Sequence, residues 1–419
     1  MSFLFLFLFI VFTFLRPQEW VPGMIGWTVI DVFAVLALVG LLFERMATKQ
    51  KVFAAVPQNK LILLFFGSIL MSHVAHTYFW GLRFSFFSFL PVLILFYLTL
   101  NGLDTEKKFK IIFWLIIIMN MILVKQGYDQ FNNFYGWAGQ PITIDRGPAG
   151  VVHRINWIGI LGDPNDQALS FVVAFGFLLP FVIGKSGIMT RIFSCAGSGW
   201  LLYGVYLTNS RGGILAVLAT IFFFFVRKTR KFLLGGIIGG VFGAGFLVFA
   251  PSRMSELSSS SGSGSSRLDL WYGGIQLFKQ NPIFGRGYGM FMEQLPQVAH
   301  NSFVQAAAEL GIVGLFLWIA ILYSAIKGCW IVQDKCKAME SYAIALQSSI
   351  VGFSAAAFFL TRTYNILLFI LIALSGSLMH VYWEKDSTVK YDLTKKDLRN
   401  ILIISIFSLF AVYCFIRAR

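Results

Sequence analysis

The chain has 419 residues, 57% of them hydrophobic and only 13% charged, with a mean hydropathy of +0.74 and a formal net charge of +15. Soluble domains carry about 25% charged residues, so the deficit and the repeated long apolar runs exclude an ordinary soluble domain and indicate a polytopic integral membrane protein in a lipid bilayer. The basic excess belongs with membrane topology and does not point to nucleic acid.

The apolar runs are continuous rather than alternating, so they predict helices and not a barrel. Helices are expected near 2–15, 28–43, 61–79, 84–100, 111–127, 166–184, 192–208, 212–226, 232–250, 303–326, 341–360, 364–382 and 400–416. The fold class is therefore all-α, with about 12–13 transmembrane helices. The first run, Phe3–Leu15, has no basic leader and no small-residue cleavage site, and reads as a retained helix rather than a signal peptide. Cys195, Cys329, Cys336 and Cys414 have no metal spacing and imply no disulfide. Five segments follow in order: N-terminal helices over 1–127, a first loop over 128–165, central helices over 166–250, a large loop over 251–302, and C-terminal helices over 303–419.

With the N-terminus placed inside, most of the 34 basic residues fall in inside loops, including Lys107, Lys108, Lys110, Arg227, Lys228, Lys395 and Lys396. The positive-inside rule supports that orientation. The loops over 128–165 and 251–302 then lie outside, and the chemistry is expected there. The second opens with SELSSSSGSGSSRL and closes with His300-Asn-Ser-Phe303, where the chain re-enters an apolar segment.

Topology does not explain the outside arginines Arg146, Arg154, Arg211, Arg253, Arg267 and Arg286. A guanidinium binds phosphate oxygens through two parallel bonds and stays charged; the bland alternative is headgroup anchoring. Arg211 is the most informative, because its hairpin between two apolar helices makes a charge costly unless it faces a cavity or a partner. Three helices are expected to start nearby, after Asp163-Pro-Asn-Asp166, at Ser210-Arg-Gly-Gly213 and at Asn301-Ser-Phe303. Helix starts present unpaired N–H groups and partial positive charge, so their convergence would favour an anion. Simple capping is the competing account of Asp163 and Asn165.

His300 is the sharpest candidate for proton transfer, since an unperturbed imidazole titrates near neutral pH. His153 in the first loop is a candidate substrate contact. His73 and His76 lie one turn apart without a third ligand, and His380 reads as structural. Outside segments carry no Asp-x-Asp, and the pair Glu384 and Asp386 falls in an inside loop, so the chain is expected to need no metal and no other cofactor. No phosphate-cradling nucleotide loop and no nucleophile elbow occurs. In Leu268-Asp-Leu-Trp-Tyr-Gly-Gly-Ile-Gln-Leu-Phe-Lys279, apolar residues 268, 271, 275 and 278 share a helical face. That helix either packs on the membrane domain or forms a lid in which Trp271 and Tyr272 stack on sugar. The glycines of Gly285-Arg-Gly-Tyr288-Gly289 would permit close backbone approach to a ligand.

Several pieces occur in a telling order: Gly162-Asp-Pro-Asn-Asp-Gln-Ala168, Asn209-Ser-Arg-Gly-Gly213, Arg267-Leu-Asp-Leu-Trp271, Asn281-Pro-Ile-Phe-Gly-Arg-Gly287, His300-Asn-Ser-Phe303 and Glu309-Leu-Gly311. Together, over roughly 150–380, they resemble the O-antigen ligase and O-antigen polymerase superfamily of bacterial envelopes. Leu15-Arg-Pro-Gln-Glu-Trp20 resembles a ligase-type subgroup that includes O-glycosylation ligases associated with exosortase systems. The Ser/Gly run at 258–266 departs from the family pattern.

The resemblance implies a GT-C-like helical fold with a long, partly helical periplasmic loop. It implies transfer of a glycan from an undecaprenyl pyrophosphate donor to a lipid A–core sugar acceptor, in lipopolysaccharide biosynthesis, at the periplasmic face of the bacterial inner membrane. The essential His would be His300, the hairpin Arg would be Arg211, and a loop Arg would be Arg267 or Arg286. The expected mechanism is a one-step inverting transfer. Arg211 and Arg286, with Arg154 as a further candidate, hold the pyrophosphate, and His300 positions or deprotonates the acceptor hydroxyl. Arg146, His153, Asn165, Arg267, Trp271, Tyr288 and Asn301 complete the expected substrate contacts. O-antigen polymerase and protein O-oligosaccharyltransferase are alternatives within the superfamily. A lipid-linked glycan transporter is the alternative from another class; it would need organised charges or broken helices at mid-membrane, whereas Asp31 is one intramembrane acid near an end of its helix and no organised set is seen.

Overall fold

The computed structural model describes residues 1–147, 150–229, 263–385 and 391–417. The predicted helix at 232–250, Arg253, the start of the Ser/Gly run and Asp386 lie outside them. The described chain is almost entirely helical: α1 (Ser2–Leu15), α2 (Val29–Ala47), α3 (Pro57–Val74), α4 (Phe79–Gly102), α5 (Glu106–Asn133), α6 (Pro164–Ile183), α7 (Ile188–Leu207), α8 (Arg211–Thr229), α9 (Ser263–Gln280), α10 (Ser302–Lys335), α11 (Glu340–Ala357), α12 (Ile366–Lys385) and α13 (Lys395–Arg417). One antiparallel hairpin interrupts this, β1 (Thr143–Gly147) with β2 (Gly150–Arg154), pairing Thr143 with Arg154 and Ile144 with His153. Its β-branched pairs Thr143-Ile144 and Val151-Val152 flank glycines, a strand signal that the helical expectation passed over.

This is an all-α polytopic membrane protein. A described helix stands at every predicted position except 232–250, and among the described residues seven helices are long and apolar enough to cross a membrane by themselves: α4, α5, α6, α8, α10, α12 and α13. Some of the other described helices carry polar residues for a physical reason. Helices such as α3 and α11 turn polar and small residues inward, including Gln58, Ser68 and Ser72 on α3 and Gln347, Ser348 and Ser349 on α11. Those residues lower mean hydropathy while meeting neighbouring helices; Ser349 Oγ, for example, donates to the Val173 carbonyl of α6 at 2.9 Å. The outward surface carries Phe43, Phe79, Phe407 and Phe410, as a lipid-facing helix requires.

The helix starts follow their sequences. Asp163 accepts from Asn165 N at 2.7 Å with Pro164 in the first turn of α6. Ser210 Oγ accepts from Gly213 N at 3.1 Å at the start of α8. Asn301 Oδ1 accepts from Phe303 N and Val304 N at 2.9 and 3.1 Å at the start of α10. Helix α6 packs against α7, α8 and α11, while α10 packs against α3, α9, α11, α12 and α13.

Helix α10 is broken at Gly311, whose backbone stands at φ 66° and ψ −163°. A break leaves N–H and C=O groups unpaired, which is costly in an apolar setting. The 282–287 strap closes it. Ile312 N and Val313 N donate to Pro282 O and Ile283 O at 2.8 and 3.3 Å, and Arg286 N and Gly287 N donate to Ala308 O and Glu309 O at 2.8 and 2.9 Å. A side chain at Gly311 would meet Ile283 O at 2.3 Å, and one at Gly285 would meet the Glu309 carbonyl carbon at 2.3 Å. Gly285 therefore serves an approach to α10 and Gly287 one to His73 of α3, where the sequence suggests an approach to ligand. Gly311→Ala should cost about 2 kcal/mol or more. A fall in the thermal midpoint in detergent checks this, with Gly67→Ala as a control that meets nothing within 4 Å and leaves the midpoint unchanged or higher.

Candidate active site

The first wall of the site is the hairpin. Arg154 ends β2 and is only 9% exposed. Its Nε donates to Thr208 O at 2.9 Å, one terminal nitrogen pairs with Asp145 at 3.0 Å, and the other donates to Asn165 Oδ1 at 2.9 Å. Asn209 Nδ2 donates to His153 O at 2.9 Å, and Ser210 Oγ donates to Asn165 Oδ1 at 2.8 Å. Asn209 holds a left-handed conformation, φ 49°, that Asn tolerates better than most residues. The β-hairpin, the end of α7 and the start of α6 are thus one bonded unit.

These contacts leave a cleft lined by Arg154, Asn165, Asn209, Arg211, Arg267 and Leu360, among others. Arg211 is the first residue of α8 and Arg267 comes from α9, so three guanidinium groups from separate elements meet in one cleft. Arg154 is engaged with the protein's own acceptors and braces the wall, and Arg211 and Arg267 complete the basic lining. A cleft of this composition at helix N-termini suits a multiply charged anion.

The second wall carries His300. It precedes the cap Asn301 with a left-handed backbone, φ 49°, a strained conformation that clusters at functional sites. Ser302 Oγ donates to Leu360 O at 2.7 Å and accepts from Arg362 N at 2.8 Å, while Thr363 Oγ1 donates to Ser302 O at 3.0 Å. Arg362 Nε bonds Asp166 Oδ1, and a terminal nitrogen of Arg362 stands 3.5 Å from Asp163. The three helix starts therefore converge: Asn165 faces the start of α8, and Asp163 and Asp166 face the start of α10 through Arg362. Burial, with the cations Arg267 and Arg362 nearby, lowers the His300 pKa from its ordinary value, partly opposed by the Asp163 carboxylate. The imidazole is uncharged at neutral pH and able to accept a proton.

Other expected contacts stand elsewhere. Arg146 lies in β1 opposite Val151. His153 sits edge-on against Phe134, with ring centroids 5.4 Å apart. Asn301 is fully buried as a helix cap. Trp271 is buried too, edge-on to Phe358 at 5.5 Å and to Phe415 at 6.2 Å. It anchors α9 on the membrane domain, and its indole packs in the protein instead of presenting a face for a sugar; the exposed aromatic of that pair is Tyr272.

Arg286 is exposed on the strap, outside the cleft-lining set. Tyr288 follows it, its N–H donating to Ser72 Oγ at 3.1 Å and its ring 4.5 Å from that of Tyr364. Burial and the Glu309 charge push the Tyr288 phenol up to about 12, so it stays protonated and is no base. Tyr364 donates to Glu309 at 2.8 Å. His76 Nε2 donates to Gly285 O at 2.7 Å, which gives this histidine a strap-holding role.

Sequence reasoning did not single out Arg362. The available signal was Thr361-Arg-Thr-Tyr-Asn365, a short polar break with one arginine between two apolar helices, the same pattern that drew notice at Asn209–Gly213.

A family model described as O-antigen ligase matches residues 196–319, a stretch that contains Arg211, Arg267, Arg286 and His300. The exopolysaccharide production protein ExoQ of Rhizobium meliloti (strain 1021) is 26% identical over 207 residues, 41% of this chain and 46% of that protein. The similarity thus spans just under half the length of that relative.

Proposed function

We propose, from its likeness to the O-antigen ligase family over residues 196–319 and to an exopolysaccharide production protein, that this membrane protein is a glycosyltransferase that moves a glycan from undecaprenyl pyrophosphate to a sugar hydroxyl of lipid A–core. The observation that carries the reading is the basic cleft beside a half-buried histidine at three converging helix starts. In the transfer, the bond between the anomeric carbon and the pyrophosphate oxygen breaks, and a bond from that carbon to the acceptor oxygen forms with inversion. The acceptor proton passes to His300, and undecaprenyl pyrophosphate leaves with its added negative charge facing Arg211 and Arg267. In this reading arginines offset the charge in place of a divalent cation, Arg286 meets the donor from the strap, and the site faces the periplasm from the inner membrane.

A second reading has its own support. Likeness to an exopolysaccharide production protein favours another lipid-linked glycan as acceptor, which makes the product a longer chain on the same carrier. Reconstitution of the full chain with defined lipids separates the two. The ligase reading expects product only when lipid A–core is added. Chain growth with donor alone overturns that choice of acceptor in favour of a polymerase, and no glycan transfer to any acceptor overturns both.

A further inference from the structure

We propose that Arg362 is a positioning residue for the transfer, locking the start of α10 that carries His300 onto the Asp163–Asp166 turn that opens α6. The inference rests on the transfer reading for its kinetic consequence, but its structural content is independent of the acceptor.

Arg362 acts in two directions. Its backbone N–H holds Ser302 Oγ at 2.8 Å, and Thr363 beside it holds the Ser302 carbonyl at 3.0 Å. Its guanidinium reaches across to Asp166 and Asp163, while a further nitrogen donates to Thr361 O at 2.7 Å and fixes the fork. Asn365 Nδ2 joins the same Asp166 oxygen at 3.2 Å. The side chains of Arg362 and Asp166 are 19% and 14% exposed, so the pair is shielded from solvent, and removing one partner strands the other. The family match ends at 319, so this tie joins the matched region to a segment beyond it.

The arrangement also sets which charges face His300: Arg267 from α9, Arg362 from the connection between α11 and α12, and Asp163 from the approach to α6. Removing Arg362 takes away a cation and should raise the proton affinity of His300. Removing the Asp163 charge should lower it. A tie that held the fold together away from His300 would move neither titration; the kcat against KM split reads the positioning itself.

The test uses full-length protein carrying isotope-labelled histidine, with the His300 resonance identified by its loss in His300→Gln. Arg362→Gln should move the His300 titration to higher pH, and Asp163→Asn should move it to lower pH. Asp163 is half-exposed and Asn can still accept the Asn165 N–H, so the second variant is expected to fold even where the first does not. Arg362→Lys should restore the wild-type titration. In the transfer assay, Arg362→Gln should lower kcat about tenfold or more with donor KM within about twofold, and the acid limb should follow the resonance. Unmoved titrations in both Arg362→Gln and Asp163→Asn overturn the inference. Opposed shifts in the two variants, beside a wild-type protein that performs no transfer, support the arrangement of charges around His300 and overturn the proposed reaction.

Discussion

His300→Ala should lower transfer about a hundred- to ten-thousandfold, the range that a positioned general base contributes, with little change in donor KM. The substitution removes the group argued to receive the acceptor proton and leaves the Asn301 cap in place, so the start of α10 should persist. The pH profile sharpens the expectation. Burial and the neighbouring Arg267 and Arg362 lower the His300 pKa below its ordinary 6.5. The active form is the neutral imidazole, so activity should hold through pH 7 and fall only as pH drops below the ordinary histidine range. Initial rates across pH with saturating donor check this. Wild-type rates in His300→Ala, or an acid limb above pH 6.5, would remove His300 from the chemistry.

Arg211→Ala should cost about a hundred- to a thousandfold in kcat, comparable with removing one preorganised donor from a site of developing charge. Arg211→Lys should fall between, because an ammonium supplies charge without the planar two-pronged contact. The start of α8 is capped by Ser210 Oγ, so that cap persists in the variant. Thermal midpoints measured beside the rates make the distinction. An Arg211→Ala protein with unchanged midpoint and unchanged kcat would show that the leaving group is held elsewhere.

The sequence disclosed the helices and their capped starts because these depend on local features: apolar runs, Asp-Pro, Asn-Ser and the Ser210 hairpin. It raised the convergence of three starts as a question only, since bringing Asn165 to Ser210 and Asp166 to Arg362 depends on contacts across 45 and 196 residues. Arg362 sits in a short connection between two apolar helices, where composition gives far less signal than in the two long loops. Gly311 escaped because hydropathy sees one continuous apolar run there, while the break is visible only in backbone angles. Trp271 shows the converse limit: its helical face was read correctly, since Trp271 and Ile275 are buried, but an apolar face alone does not say whether its aromatic meets sugar or protein.

The strap that closes the gap at Gly311 does so with main-chain atoms, and such bonds do not depend on side-chain identity. Any residue except proline at position 286 retains the N–H that reaches Ala308 O. Position 286 is therefore an interchangeable fitting, held at a fixed place beside α3 and α10 with its side chain exposed. Chains built to this plan can exchange the chemistry presented there, arginine in this case, without moving a helix.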